Sequence, residues 1–299
     1  MIRILAIAAL AALPASAAAQ EGTLDVLDGE TLYENGWLFT IGYEHESREG
    51  LRSGSSRVSD PLNRELTDET AALGAHYGLR YNLQLSVLIP HVTRTLEAGS
   101  EEFRASGLGD AVLVAKWRYY RWDDTGKALN CAILAGLETP TGEDDAEDHG
   151  VRLPAELQPG SGSWDPALGT AVTYEPGRWR FNAALLYQRN GKGAEDYKFG
   201  DEAFGEIAIG NRFWLEPYPG PFMRFDALLR YRHTARASDG GGLVHDSGGE
   251  LVTAGATLAF RPQPTLDLQL FVEYPILQDV NGTQLEEDLS VFLALGFRI

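Results

Sequence analysis

The chain has 299 residues, 44% of them hydrophobic, one cysteine and a formal net charge of −18. Acidity of that size excludes a nucleic-acid-binding surface, which needs clustered Lys and Arg. One cysteine excludes an intrachain disulfide, no Cys/His cluster has zinc spacing, and no segment carries the 18 or more continuous apolar residues of a membrane helix.

Arg3 supplies a positive start, Ile4 to Leu13 an apolar run, and Ala17-Ala18-Ala19 a small-residue cleavage site. This is the pattern of a secretory signal peptide over residues 1–19, with Gln20 as the expected mature start. The apolar run is too short to span a bilayer. Cys131 lies far from the cleavage site and offers no lipid anchor there. Residues 20–35 are expected to form a short periplasmic segment and residues 36–299 one folded body.

From Gly36 onward, twelve stretches alternate apolar and polar residues, and the gaps between them alternate long and short. The short gaps include Leu79-Arg80-Tyr81, Glu175 to Arg178, Glu216 to Pro221 and Arg261 to Pro264. The long ones are polar and acidic: Ser47 to Thr67, Pro140 to Ser163, Asn190 to Asp201 and Ala237 to Ser247. A soluble β-sandwich has no reason to collect its long loops at one end. An outer-membrane barrel does, because short periplasmic turns alternate with longer outer loops. The predicted fold is therefore all-β: a closed antiparallel transmembrane β-barrel of about 12 strands, with no exposed strand edge. Outer loops are expected to begin near Ser47, Leu96, Pro140, Asn190, Ala237 and Ile276.

A period of two separates the faces of each strand. The first predicted strand turns Trp37, Phe39, Ile41 and Tyr43 to lipid, the third Leu83, Leu85, Val87 and Ile89, and the fourth Ala111, Leu113, Ala115, Trp117 and Tyr119. The seventh offers Trp179, Phe181, Ala183, Leu185 and Tyr187, the eleventh Leu266, Leu268, Leu270, Val272 and Tyr274. The last offers Leu289, Val291, Leu293, Leu295, Phe297 and Ile299. On the tenth, Leu251, Thr253, Gly255, Thr257 and Ala259 make a poor lipid face. Trp117, Tyr119 and Trp122, then Tyr174 and Trp179, then Trp214, Tyr218, Phe222 and Phe225 gather at short turns, where an interfacial aromatic belt belongs.

The opposite faces supply candidate pore-lining residues. Toward the outer mouth these are Glu44, Asp110, Glu138, Asp165, Glu206, Glu250 and Glu273, with Arg94, Arg230 and Arg232. Toward the periplasm they are Lys116, Arg118, Arg178, Arg180, Arg212, Arg224 and Arg298, with Glu175, Asp226 and Asp267. The segregation suggests an acidic vestibule above a basic constriction; ion pairs bracing a filled barrel are the alternative. Across the Glu216 to Pro221 turn, the charges favour a register in which opposed residue numbers sum to 438. That register sets Arg212 against Asp226 and Glu206 against Arg232 rather than Arg212 against Arg224.

Gly107-Leu108-Gly109 lacks the following helix of a nucleotide loop. Glu143, Asp144, Asp145, Glu147 and Asp148 crowd one outer loop, but their spacing misses the Ca²⁺-loop pattern. A solvated acidic loop is the expectation, with no metal and no cofactor. His45, His76, His91, His149, His233 and His245 lie in no serine-nucleophile motif, and no catalytic residue is assigned. His91 and His233 fall on lipid faces near the outer rim.

Three stretches resemble the outer-membrane family of the MetA pathway of phenol degradation. They are Gly107-Leu108-Gly109-Asp110 leading to Lys116-Trp117-Arg118-Tyr119, Gly136-Leu137-Glu138-Thr139-Pro140-Thr141-Gly142, and Gly160-Ser161-Gly162-Ser163-Trp164-Asp165-Pro166-Ala167-Leu168-Gly169. The resemblance runs from about Ala71 to the end and implies a barrel with a transporter-like role, without residue assignments. The apolar last strand also resembles the C-terminal signal of outer-membrane barrels, with Ile299 where Phe is commonest. The expected protein is a channel for small, aromatic or hydrophobic molecules. Its expected partners are the lipid bilayer, lipopolysaccharide, a small-molecule solute and the barrel-assembly machinery, and no nucleic acid. A lipid hydrolase and a structural or adhesive barrel remain the alternatives.

Overall fold

The computed structural model describes residues 27–299, so the expected signal peptide lies outside the described residues. The wall comprises β1 Trp37–Gly54, β2 Glu65–Arg80, β3 Leu83–Ala98, β4 Ala111–Asp124 and β5 Lys127–Thr139. It continues with β6 Asp165–Pro176, β7 Trp179–Gln188, β8 Glu202–Leu215, β9 Phe222–Thr234, β10 Gly249–Gln263 and β11 Leu266–Arg298. Each pairs antiparallel with the next, and β11 also pairs antiparallel with β1, which closes the sheet.

Reversal at every step leaves β1 and β10 running in opposite directions, so one straight strand cannot be antiparallel to both. β11 therefore folds back on itself near Gly282, which holds a positive φ of 65°. Its limb 266–280 pairs with β10, and its limb from Val280 to Arg298 pairs with β1. Phe271 of one limb and Phe292 of the other share a cluster. Ten strands and two limbs make twelve spans, the predicted number. The loop expected from Ile276 is thus a tight reversal near Gly282. The loop expected from Leu96 is a hairpin, because Glu101–Leu108 pairs back onto β3.

Alternation sets the faces. Trp37, Phe39, Ile41, Leu113, Trp117, Leu185, Leu293 and Phe297 are exposed, while Thr40, Glu44, Lys116, Arg180, Asn182 and Asp267 are buried. An apolar outside around a polar inside is the reverse of a soluble sandwich and fits a bilayer as solvent. β10 corrects the expectation: Thr253 and Thr257 are buried, and Leu258 is exposed. Val252, Ala254, Ala256, Leu258 and Phe260 form the outer face instead. Glu250 shares their parity; it is exposed and lies 3.8 Å from His233, outside the lumen.

The β8–β9 hairpin also departs from expectation. Glu206 faces Arg230 and Phe204 faces Arg232, a sum of 436 and not 438. The repulsion counted against this register never arises. A bulge between Asn211 and Trp214 takes Arg212 out of opposition to Arg224, and the Arg212 N–H bonds Arg178 O across the neighbouring strand. The register also places Arg230 Nε 2.8 Å from Glu206.

β1 has 18 residues, and β2 and β3 have 16 each. About 9–11 cross a bilayer, so these strands project beyond it at the outer end. There Leu51, Leu66, Leu96, Phe103, Leu153, Leu157 and Leu285 form a buried apolar cluster. This cluster lets the loop after β5 fold down over the mouth.

Candidate functional site

Two segments lie against the lumen, one at each end. Residues 27–33 do not hang in the periplasm as the expected 20–35 segment would; they lie against the inner wall. Tyr33 donates its hydroxyl to the C-terminal Ile299 O at 2.6 Å, and Leu32 N–H bonds the Gln84 side chain at 2.9 Å. The Gly29 N–H bonds Thr173 Oγ1 at 2.9 Å, and Asn182 Nδ2 donates to Leu27 O at 3.0 Å. The segment thus leaves β1, crosses the periplasmic end and docks on β6 and β7. Gly29 is required there, because a Cβ would come within 2.3 Å of Asn130 O. Asp28 is buried and accepts from Lys116 Nζ at 2.7 Å and Arg180 Nη2 at 2.9 Å. Leu27 packs beside Val114, Leu134, Ala171 and Ala184.

At the outer end, the three stretches that carry the family resemblance meet at one carboxylate. Asp110 Oδ1 accepts from the Gly142 N–H at 2.7 Å, and Oδ2 from the Ser161 N–H at 2.6 Å and the Ser161 hydroxyl at 2.8 Å. Gly142 and Gly160 are the price of that approach: a Cβ on Gly142 would stand 2.7 Å from Gly109 C and 2.8 Å from Gly160 Cα. Asp165 accepts from Ser163 Oγ at 2.7 Å and the Gly191 N–H at 2.6 Å, and Glu138 from Gln188 at 3.4 Å. Arg94 reaches over from β3 to the carbonyls of Glu156 and Gln158. Burial pushes the Glu156 carboxyl above its ordinary range.

Between these ends the inward charges are paired along the wall. Arg230 bonds Glu206 at 2.8 Å and Glu273 at 2.6 Å, and its guanidinium stands 4.6 Å from the Phe271 ring centroid. Arg224 pairs with Asp226 at 2.8 Å. Arg261 and Arg298 both pair with Asp267 at 2.6 Å. Arg212 pairs with Glu175, and Arg232 with Glu287. Arg118 bonds Tyr81 O across the periplasmic turn. Arg48 and Arg94 share Asp68 at 3.4 and 3.2 Å. Glu44 is buried on the inward face.

Two of the predicted pore-lining residues lie elsewhere. Arg178 sits exposed in the β6–β7 turn, where it donates to Arg212 O, and Glu250 lies outside as described above. Asp28, Leu27 and Gln84 were missed. Asp28-Gly29 reads locally as a turn, and nothing in its neighbourhood points to Lys116 or Arg180.

Among the described residues a Ser–His pair comes together: His76 Nδ1 lies 2.9 Å from Ser86 Oγ, and Nε2 lies 3.3 Å from Thr40 Oγ1. Both are buried, Gln84 also donates to Ser86, and a threonine stands where a catalytic histidine needs a carboxylate. Among the described residues, no group of His, Cys, Asp and Glu is placed to hold a metal ion.

A closed sheet with a lipid-facing apolar exterior and a polar lumen defines a transmembrane β-barrel of the outer membrane. The family model described as "Putative MetA-pathway of phenol degradation" matches residues 54–271, and the chain belongs to that family. The fold is similar to the COG4313 outer membrane channel from Pseudomonas putida F1, with a TM-score of 0.72 at 18% identity, covering 93% of this chain and 100% of that one. It is also similar to the transport unit of the autotransporter AIDA-I from Escherichia coli, with a TM-score of 0.52 at 10% identity and 93% of each chain covered. No curated protein matches the sequence.

Proposed function

We propose that the protein is a passive channel for small, aromatic or hydrophobic molecules across the outer membrane. The observation that carries this reading is a closed barrel with a polar inner face, in a chain whose family is described by phenol degradation. The similar Pseudomonas barrel is itself named a channel. Inward residues Asp110, Lys116, Arg118, Glu138, Asp165, Arg180, Glu206, Arg212, Arg224, Asp226, Arg230, Arg232 and Arg298 are the proposed lining. In this reading lipopolysaccharide surrounds the outer rim and the assembly machinery engages the last strand.

The test is refolded mature protein in planar bilayers and in liposomes loaded for phenol uptake. Measurable conductance, with phenol entering faster than into empty liposomes, is the expected result. Zero conductance together with background uptake would reject the channel and favour a structural barrel. Hydrolysis of labelled lipid that survives purification, and is lost in Ser86→Ala, would favour an enzyme.

A further inference from the structure

The contacts of Leu27 and Asp28 have the form of a bound ligand rather than of a packing accident. One carboxylate is held by two cations, Lys116 at 2.7 Å and Arg180 at 2.9 Å, and Arg180 also lies 3.7 Å from Glu30 of the same segment and 3.6 Å from Glu175 of the wall. Asp28, Lys116 and Arg180 are all buried. Beside the carboxylate, the Leu27 side chain fills an apolar recess formed by Val114, Leu134, Ala171 and Ala184. The cations come from β4 and β7, and the segment that bridges them has no strand or helix from Leu27 to Gly36. We infer that Leu27-Asp28 is a tethered surrogate occupying a lumen subsite for small carboxylates with an apolar body, such as aromatic or branched aliphatic acids. This rests on the proposed passage of small molecules through the lumen.

Three physical points carry the inference. A desolvated Lys–Arg pair selects an ionised carboxylate over an uncharged isostere, because the charge-assisted bonds are the strong ones and unpaired buried cations are costly. The recess fixes the second half of the ligand, an apolar group adjoining the carboxylate. The surrogate is exchangeable because its segment lies outside the paired strands of the wall. A short tether presents its group at an effective concentration of about millimolar, raised here by the bonds of Gly29, Leu32 and Tyr33 to the wall, so a free acid competes best once the Asp28 carboxylate is removed. On release, Asp28 returns to water at the periplasmic end, the incoming acid takes its place on Lys116 and Arg180, and Arg180 keeps Glu175 of the wall.

The experiment is calorimetric titration of the detergent-refolded mature chain with benzoate, 3-methylbutanoate and benzamide. The proteins are wild type, Asp28→Ala, and Asp28→Ala combined with Lys116→Gln. Asp28→Ala is expected to bind both acids at least tenfold more tightly than wild type and tenfold more tightly than benzamide. The added Lys116→Gln should remove that preference. Equal binding of benzoate and benzamide, or no gain in Asp28→Ala over wild type, would overturn the subsite. Should Asp28→Ala not refold, Asp28→Asn serves under the same criteria, because its neutral amide holds the cations less strongly. Titration needs no current through the pore. Acid binding without conductance would reject the passage reading and leave the subsite standing, and conductance without acid binding would do the reverse.

Discussion

Asp110 is the joint that fixes the outer loops, and its removal should open them while the barrel stays folded. Its carboxylate accepts from Gly142 N–H, Ser161 N–H and Ser161 Oγ at 2.6–2.8 Å. Hydrogen bonds to a charged group contribute about 1.5–3 kcal/mol each. The three are coupled through one residue and are not additive, which sets the loss for Asp110→Ala at about 3–6 kcal/mol of loop anchoring. At 1.4 kcal/mol per tenfold change, that is roughly a hundredfold to ten-thousandfold rise in the open population. Asp110→Asn should lose at least half as much, since its NH₂ group turns a donor toward donors. Amide hydrogen exchange over residues 140–163, read by mass spectrometry in detergent, is the assay. Heat-modifiable gel migration checks that the barrel remains intact. Unchanged exchange at Gly142 and Ser161 in Asp110→Ala would refute the reasoning, because it would mean that the loops hold their places without the carboxylate.

The raised carboxyl of Glu156 has a defined sign: the folded loop prefers the proton, so its contribution is full below the unfolded value of about 4.3 and is lost as pH rises through the raised folded value. Exchange over residues 153–158, corrected for intrinsic rates, should therefore quicken between pH 4 and neutrality, and Glu156→Gln should flatten that dependence; a steep profile retained in the variant would reject it. Gly142→Ala should displace the same loop by overpacking, at about 1–3 kcal/mol, seen as faster proteolysis between residues 140 and 163; wild-type resistance would show that the close approach can relax. Leu258→Arg should destabilise the barrel in vesicles by about 2–4 kcal/mol, as a charge on the lipid face, whereas Thr257→Ser should cost under about 1 kcal/mol; equal urea midpoints would contradict the face assignment of β10.

How far the sequence could be read follows from where the contrast between faces is strong. On β1 every outward residue from Trp37 to Tyr43 is aromatic or β-branched, and of the inward ones only Leu38 is apolar and large while Thr40, Gly42 and Glu44 are small or polar, so one register satisfies both solvents. β10 offers Leu251, Gly255 and Ala259 on one parity and Ala254, Ala256 and Leu258 on the other. The decision there rests on Phe260 and on the buried bond of Thr253 to Glu273, a neighbour that alternation does not reveal. The β8–β9 register failed for a related reason: a bulge at residues 212–213 leaves no mark in a pattern of period two. The family stretches were readable as Gly-rich motifs, but their shared purpose at Asp110 appears only when the loops are folded. The clamp at Asp28 was beyond reach, because its partners lie 88 and 152 residues away.

The geometry of these pairs separates bracing from closure. Arg224–Asp226 lies within one strand, and Arg230 reaches Glu206 on the adjoining β8 and Glu273 two spans away. Arg298, Asp267 and Arg261 form a row along β11 and β10. Such pairs stiffen the wall and can persist whether or not a solute passes. Asp28 differs, because it joins Lys116 and Arg180 to a segment that is not part of the wall. The Arg94 contacts to Glu156 and Gln158 differ in the same way, since they tie β3 to a loop lying over the mouth. The contacts therefore differ in kind: the lumen ion pairs lie within the wall, and those at the two ends tie separate segments to it. Neutralising Arg224 should leave ligand access intact, and neutralising Asp28 should change it.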